Sequence, residues 1–386
     1  MRKLKCLLVH PAIRNYREPL YSKLSEVGYE FLFTMINPIN SPSRQDVENI
    51  LKDFRGRWTQ CREWKSVGGL NNFSLDLRLV FNYDIIIFTS LTSVPFLLCA
   101  LPLKLLGKKL LLFDETWKYQ YQVRRYQVLL PYVRFLVKNC VRAIIAGSSL
   151  TASMFIRDFG IASQKIFIAC NTTADLHETD LSSARAIEIK AMIDGFAEQR
   201  VVVLSLCRFV EIKAIDILVR SFTSVSERAC LILVGEGEQC NQLETLIVEL
   251  KLTERVKILP AADPQEVAYY YGSADISTLV SRFMPDLPVN CESWGFTVNE
   301  AMSMEVPVVV STAVGAHLDL IIDGVTGMLV DQNDTTSLSE KLNILIEDPE
   351  LRLSIGKRGR EHLMQTCSYE QNFHAFQKAV SYAINQ

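Results

Sequence analysis

The chain has 386 residues, of which 49% are hydrophobic and 22% charged, with a formal net charge of −2. That length and apolar content describe a globular protein able to bury a large core, and favour two or three domains over one. Its ten cysteines are spread along the whole length with no C-x-x-C pair, which excludes a disulfide frame or zinc site and reads as reduced core thiols of a cytosolic protein.

In chain order, "MRKLKCLLVHPAIRNY" has a basic lead, but its apolar segment is too short for a signal-peptide core of roughly 7–15 residues, so a first buried strand is expected there. The runs "YEFLFTMI", "DIIIFTS", "KLLLFD" and "RAIIAGS" follow, separated by helix-like stretches. The most hydrophobic region, 91–113, is broken by Pro95, Pro102, Lys104, Gly107, Lys108 and Lys109, whereas a spanning helix needs about 20 apolar residues in a row; no transmembrane segment is expected. A polar stretch, "NTTADLHETDLSSARAIEI" (171–189), marks the seam between halves. Beyond it the pattern resumes with "RVVVLSL", "ACLILVG", "RVKILP", "DISTLV", "VPVVVS" and "TGMLV". Near-continuous Val/Ile/Leu runs imply parallel sheets covered on both faces, so two α/β sheets in tandem are expected. The last segment has helical spacing of Tyr369, Phe373, Phe376, Val380 and Ala383. Charge is divided unevenly: residues 1–180 carry 24 Lys and Arg against 15 Asp and Glu, and the rest carry 17 against 28. A basic half suits nucleic acid, an anionic membrane or a phosphorylated substrate, or is simply a solvated surface.

In doubly wound sheets ligands bind beyond the C-terminal ends of the strands, so the loops there are where chemistry is expected. After "VVVLSL", Arg208 and Lys213 lie in a loop leading into a helix, a pairing of two cations with backbone N–H groups that suits a diphosphate, although surface loops often hold such residues. "LVGEGEQ" places Gly235 and Gly237 in a strand-to-helix turn; a tight turn is the simpler reading, and a nucleotide approaching Gly235 the other. In "CESWGFTVNEAM", Gly295 permits close backbone approach, and Phe296 and Thr297 begin a short helix whose first N–H groups suit an anion. Glu300 could form a capping box with Thr297. No such local role accounts for Glu292, a carboxylate on the strand side of the turn that could meet a sugar, with Glu300 on a ribose diol.

"SLCRFVEIKAIDILVRSF", "LILVGEGEQCNQLETLIVELKLTERVKILP", "YYYGSADISTLVSR" and "CESWGFTVNEAMSMEVPVVVSTAVGAHLDLIIDGVTGMLV", in this order, resemble the C-terminal half of the retaining GT-B glycosyltransferases of family 4 over roughly residues 200–340. The resemblance implies an α/β GT-B fold: two Rossmann-like doubly wound domains facing a cleft, with a C-terminal helix crossing back. The expected division is 1–178 for acceptor binding, 179–365 for the nucleotide sugar, and 366–386 for the crossover helix. By the resemblance, Arg208, Lys213 and Glu292 are catalytic. Gly295, Phe296, Thr297 and Glu300 bind the donor, with Gly235 near it and Leu259 and Pro260 opening the loop that reads the base. It further implies front-face attack with retention, in which the leaving diphosphate helps to deprotonate the acceptor hydroxyl and no metal ion is needed, the nucleotide sugar being a substrate.

Some positions depart from the family pattern. Ala214 stands where glycine is usual, Ser303-Met304-Glu305 where Ala-Cys-Gly is usual, and "FDETW" where many members place a histidine. The first-half loop "HPAIRNYREPLYSKL" is similar to a subset acting in polysaccharide assembly. An acceptor is therefore expected on Arg14, Asn15, Tyr16, Arg17, Asp114, Glu115 and Trp117. The segment "WKYQYQVRRYQVLLPYVRFLVKNCVR" interleaves Arg124, Arg125, Arg134, Lys138 and Arg142 with Leu129, Leu130, Val133, Phe135 and Leu136. It reads equally as an anionic bilayer surface and as ordinary helices covering a sheet. With the bilayer, a polyprenyl-linked saccharide becomes the natural acceptor and the place is cytoplasmic, peripheral on the inner membrane face.

Three rivals stand beside this reading. A GT-B sugar-nucleotide epimerase would act on the donor alone, and a non-catalytic binder would hold the donor without transfer. An NAD-dependent oxidoreductase is disfavoured, because the first strand ends without G-x-G-x-x-G. No nucleic-acid partner is expected.

Overall fold

The computed structural model describes residues 5–10, 13–33, 44–60, 80–91, 93–116, 124–284 and 291–386. They form two compact units, Met1–Asn171 with Cys367–Gln386, and Thr172–Thr366.

The first unit is built on a parallel sheet in the order β3-β2-β1-β4-β5-β6-β7. These strands are β1 (Cys6–His10), β2 (Tyr29–Phe33), β3 (Trp58–Gln60), β4 (Ile85–Thr89), β5 (Lys109–Asp114), β6 (Val141–Ala146) and β7 (Ile166–Ile168). Alternate residues feed opposite faces, as the two-residue period requires. Leu7, Val9, Ile86, Phe88, Leu110 and Leu112 pack beneath helices α3 (Val94–Leu105), α4 (Arg124–Cys140) and α5 (Ser149–Phe159). Leu8, Ile85, Ile87, Leu111 and Phe113 meet α1 (Glu18–Glu26), α2 (Arg44–Asp53) and the chain's last helix, Tyr369–Asn385, on the other face. The apolar stretch 91–113 is thus a sheet-covering helix followed by a strand.

That last helix is fixed at both ends and the middle. Ser368 caps it by accepting from the Gln371 N–H, the Phe376 ring meets Phe113 edge-on at 5.2 Å, and Lys109 Nζ donates to the carbonyls of Ala383 and Ile384 at 3.1 and 3.2 Å.

The second unit repeats the plan with strand order β10-β9-β8-β11-β12-β13. Its strands are β8 (Val201–Leu206), β9 (Ala229–Val234), β10 (Val256–Leu259), β11 (Ile276–Leu279), β12 (Val308–Ser311) and β13 (Met328–Val330). Between and after them run α6 (Ala184–Ala197), α7 (Ile215–Ser221), α8 (Cys240–Glu249), α9 (Val267–Tyr271), α10 (Phe296–Ser303), α11 (His317–Leu320), α12 (Thr335–Glu347) and α13 (Pro349–Thr366). β9 is wholly buried, which explains its unbroken apolar run.

The segment after Asn171, at the start of the expected seam stretch 171–189, is tied to the second unit. Arg360 grips both Asp175 carboxylate oxygens at 2.7 and 2.8 Å, and the Leu176 N–H donates to Ser303 Oγ at 3.3 Å. No disulfide joins the cysteines among the described residues.

Candidate functional site

In the second unit, β8 runs into a short 3-10 turn, Glu211–Lys213, and Ala214 then turns the chain into α7 with φ 52°. Glycine, usual here in the proteins the sequence resembles, would adopt that left-handed backbone at no steric cost; here alanine accepts it. The turn is held from the neighbouring strand. After β11, the Arg282 N–H donates to the Ile212 carbonyl at 2.8 Å, Arg282 Nε donates to the Glu211 carbonyl at 3.0 Å, and its guanidinium pairs with Asp216. Lys213 is thereby aimed, and its ammonium forms an ion pair with Glu292.

Glu292 comes from a segment docked on the loop after β12. It bridges Val314 in parallel, and its carbonyl accepts from the Gly315 N–H at 3.0 Å, while the Trp294 carbonyl accepts from the Ala316 N–H at 2.9 Å. Trp294 is buried and donates through Nε1 to Asn299 Oδ1 at 2.7 Å, which locks this segment to α10. Gly295 joins the two with φ 98°; a Cβ there would lie 2.6 Å from Leu279 Cδ2 and 2.8 Å from Val314 Cγ1. Only glycine fits that turn.

α10 begins at Phe296 with no side-chain cap, so the Thr297–Glu300 capping box, the alternative to a ribose contact, does not form. Thr297 already lies inside the first turn, where its hydroxyl cannot act as an N-cap. Its Oγ1 is buried and has no hydrogen-bond partner. Glu300 is instead held by Tyr271, whose hydroxyl lies 3.3 Å from both Glu300 Oε2 and the Thr297 carbonyl. This anchor was not anticipated. Tyr271 ends a run of three tyrosines, and only the docking of α9 against α10 decides which ring turns inward.

The electrostatics follow from burial and charge. Burial pushes Glu300 up to about 7, opposed by the Tyr271 hydrogen bond. Burial alone would lower the Lys213 ammonium, and the Arg208 charge acts with it, but the Glu292 carboxylate outweighs both and raises it. Cys207 is pushed up to about 11, chiefly by burial and against the pull of Lys213, so it remains a thiol at neutral pH. Arg208 is exposed, yet near enough to Lys213 to repel it.

Gly235 packs its backbone against the loop after β8: a Cβ there would sit 1.9 Å from the Cys207 carbonyl oxygen. The Leu259 carbonyl accepts from the Gly235 N–H at 3.1 Å, and the Leu259 side chain is buried, so Leu259 shapes the loop from within while Pro260 is exposed.

The residues expected to meet an acceptor divide differently. Asn15 is exposed and Arg14 and Tyr16 are half-buried around the turn after β1. Arg17 and Asp114 are buried, at 2% and 3% exposure, and are committed inside the unit. The Arg17 guanidinium pairs with Glu115, donates to Asn171 Oδ1 and lies 5.1 Å over the Phe113 ring. Asp114 accepts from the N–H groups of Thr116 and Leu91 at 2.8 and 3.3 Å. Arg17 and Asp114 thus hold loops of the first unit in place, while Glu115, a third exposed, pairs with Arg17. Trp117 lies outside the described residues.

Two doubly wound parallel sheets whose strand orders share the 3-2-1-4-5-6 core define a GT-B architecture, and solved structures agree. Over 98% of this chain and 100% of theirs, the Anabaena protein HepE in complex with UDP and with UDP-glucose superposes with TM-scores of 0.76 and 0.71 at 18% identity. A glycosyltransferase from Rickettsia africae does so with a TM-score of 0.77 at 16% identity, covering 100% of both chains. Residues 187–362, which hold the whole of this site, match the family model described as Glycosyl transferases group 1. Among curated proteins, N-acetyl-alpha-D-glucosaminyl L-malate synthase of Bacillus anthracis is 29% identical over 179 residues, 46% of this chain and 44% of the relative. The matches to the first such relatives span 40 to 46% of the relatives' own length.

Proposed function

We propose that the protein is a glycosyltransferase that moves a hexose-type sugar from a nucleotide-diphosphate donor to a hydroxyl of a glycan or lipid-linked saccharide, with retention, in cell-surface polysaccharide biosynthesis on the cytoplasmic face of the membrane. One observation carries this reading: Lys213 is paired with Glu292 beside the glycine turn that opens α10, while Glu300 is pinned on the same helix. It is further supported by the family-model match over this segment and by the UDP and UDP-glucose held by HepE.

On this reading the diphosphate lies against Arg208, Lys213 and the start of α10, whose N–H groups and dipole favour an anion. Lys213 shares its charge between Glu292 and the phosphate as the leaving group departs. Glu292 meets the sugar hydroxyls and the positive charge growing at the anomeric carbon, and Glu300 accepts from the ribose diol. Two cations offset the departing diphosphate without a metal ion, so chelation by EDTA should leave the rate unchanged. The acceptor hydroxyl attacks from the face the diphosphate leaves, and the diphosphate takes its proton. Arg14, Asn15 and Tyr16 are the first-unit residues assigned to the acceptor.

A thermal-shift panel of nucleotide sugars headed by UDP-glucose tests the donor, because a ligand at about 100 times its dissociation constant adds about 2.7 kcal/mol to the folded state. The expected result is one base and sugar that raise the melting temperature, with the effect lost in Lys213→Ala. A panel without effect would overturn the reading; conversion of donor to its epimer without acceptor would favour an epimerase.

A further inference from the structure

Ala214 turns the chain into α7 against its own sterics. With φ 52° and ψ 37° it stands in the left-handed region, where a Cβ crowds the following carbonyl oxygen. Its methyl group has no hydrogen bond to offer in return. Nor can the corner relax outward, because Ala214 is fully buried and Ile215, Leu218 and Phe222 behind it are core residues. The bonds of the turn itself are those of a short 3-10 element, whose geometry is poor: the Lys213 N–H donates to the Val210 carbonyl at 2.9 Å, and the Ala214 N–H to the Glu211 carbonyl at 3.2 Å.

One side chain spans this corner. Arg282 Nε holds the Glu211 carbonyl on the near side, and its guanidinium pairs with Asp216 in the first turn of α7 on the far side. Arg282 is itself anchored by its neighbours. The Ser281 carbonyl accepts from Ser311 Oγ at the end of β12, and the Phe283 N–H donates to Gln332 Oε1, just beyond β13, at 2.7 Å. Three strand ends thus stand behind the arginine. At 17% side-chain exposure it is withdrawn from most of the water that weakens surface pairs. Its rigid fork also reaches a carbonyl and a carboxylate together, which a single ammonium on a flexible stem does not reproduce.

We propose that Arg282 is a positioning residue: by bridging Glu211 and Asp216 it holds the left-handed Ala214 corner closed, and through that corner it keeps the Lys213 ammonium on Glu292. Its hydrogen bonds and ion pair reach neither Lys213 nor Glu292, so it acts through the backbone between them. The consequence for catalysis rests on the glycosyltransferase reading above; the positioning itself does not.

The test therefore begins without a ligand. Limited labelling of amines with acetic anhydride, read by mass spectrometry, follows Lys213 against Lys190 and Lys341, which lie in α6 and α12. The Glu292 carboxylate keeps Lys213 protonated and unreactive, so loosening the pair frees the amine. In Arg282→Ala, Lys213 should label about fivefold faster relative to the two references, the loss expected for one partly screened ion pair. Arg282→Lys should recover little of this, for want of the fork. Adding Ala214→Gly to Arg282→Ala should bring Lys213 back to within about twofold of wild type, because glycine adopts the corner unaided. Should Arg282→Ala not fold, Asp216→Asn removes the far-side charge alone and should raise Lys213 labelling in the same direction. In a transfer assay Arg282→Ala should lower kcat on the order of tenfold to a hundredfold, and change a Lys213→Ala background by no more than about twofold.

Unchanged labelling of Lys213, an equal rise at Lys213 and both references, or no recovery on adding Ala214→Gly would each overturn the proposal. The expected labelling pattern in a protein that no nucleotide sugar stabilises would uphold the positioning role and remove the donor reading instead.

Discussion

The two units place a basic loop at the same point of the same fold, just beyond the first strand of each sheet, and use it oppositely. After β1, Arg17 is buried and committed to Glu115, Asn171 and the Phe113 ring. After β8, Arg208 is exposed, and Lys213, 13% exposed, keeps its ammonium on Glu292 alone among the described residues. One cation is spent on holding its own unit together. The other pair stands where a ligand can claim it. The strand-end position thus supplies a place for chemistry, and burial decides whether the chemistry is available.

The largest expected break in this contrast is Lys213→Ala. Removing a cation that stabilises a departing diphosphate should lower kcat/KM on the order of 10²–10³-fold in a transfer assay. The melting temperature should fall less than for Arg17, since the Lys213 side chain is 13% exposed and that of Arg17 only 2%. Arg17→Leu should do the reverse. Breaking a buried pair costs about 3–5 kcal/mol, taken here at the low end because Glu115 is a third exposed, so urea unfolding of the first unit should shift by about 3 kcal/mol. Donor binding in the second unit should persist. A Lys213 variant that unfolds, or an Arg17 variant that loses only activity, would collapse the distinction.

A smaller effect sharpens the second site. With Glu300 raised to about 7 by burial, donor affinity should rise as pH passes upward through that value, because the ionised carboxylate accepts from ribose hydroxyls better than the acid does. The sign for stability is opposite. A carboxyl whose folded value is raised favours the fold fully below its ordinary value of 4.5, and that contribution is lost as pH rises through about 7. Tyr271→Phe removes the hydrogen bond that lowers Glu300, so the midpoint of the affinity profile should move up, and Glu300→Gln should flatten it. A profile unmoved in both variants would remove Glu300 from the donor site. The least change is expected from Pro260→Ala, an exposed loop position: within a fewfold in donor affinity, read by titration.

Much of this was legible in the residue order. Alternating apolar runs in β1, β4 and β5, and the solid run of β9, announce two covered parallel sheets, because a strand buried on both faces has no polar side to show. The turn around Gly295 was equally plain, since only glycine can carry that backbone into α10. What spacing left undecided was every partnership made across strands. Arg14, Arg17, Arg208 and Lys213 look alike in the chain, yet Arg17 pairs with Glu115 and donates to Asn171, while Lys213 pairs with Glu292.

By itself, then, the sequence determined the periodicities, the two sheets and the glycine turn, all consequences of local backbone sterics and of the burial of neighbouring side chains. Tertiary structure alone decided that Tyr271 pins Glu300 in place of a capping box, that Arg360 ties Asp175 to the second unit, and that two apolar helix faces lie side by side in the open. Each depends on groups far apart in the chain meeting at a few ångströms, and the distance between them is set by how the sheets twist and pack rather than by their order.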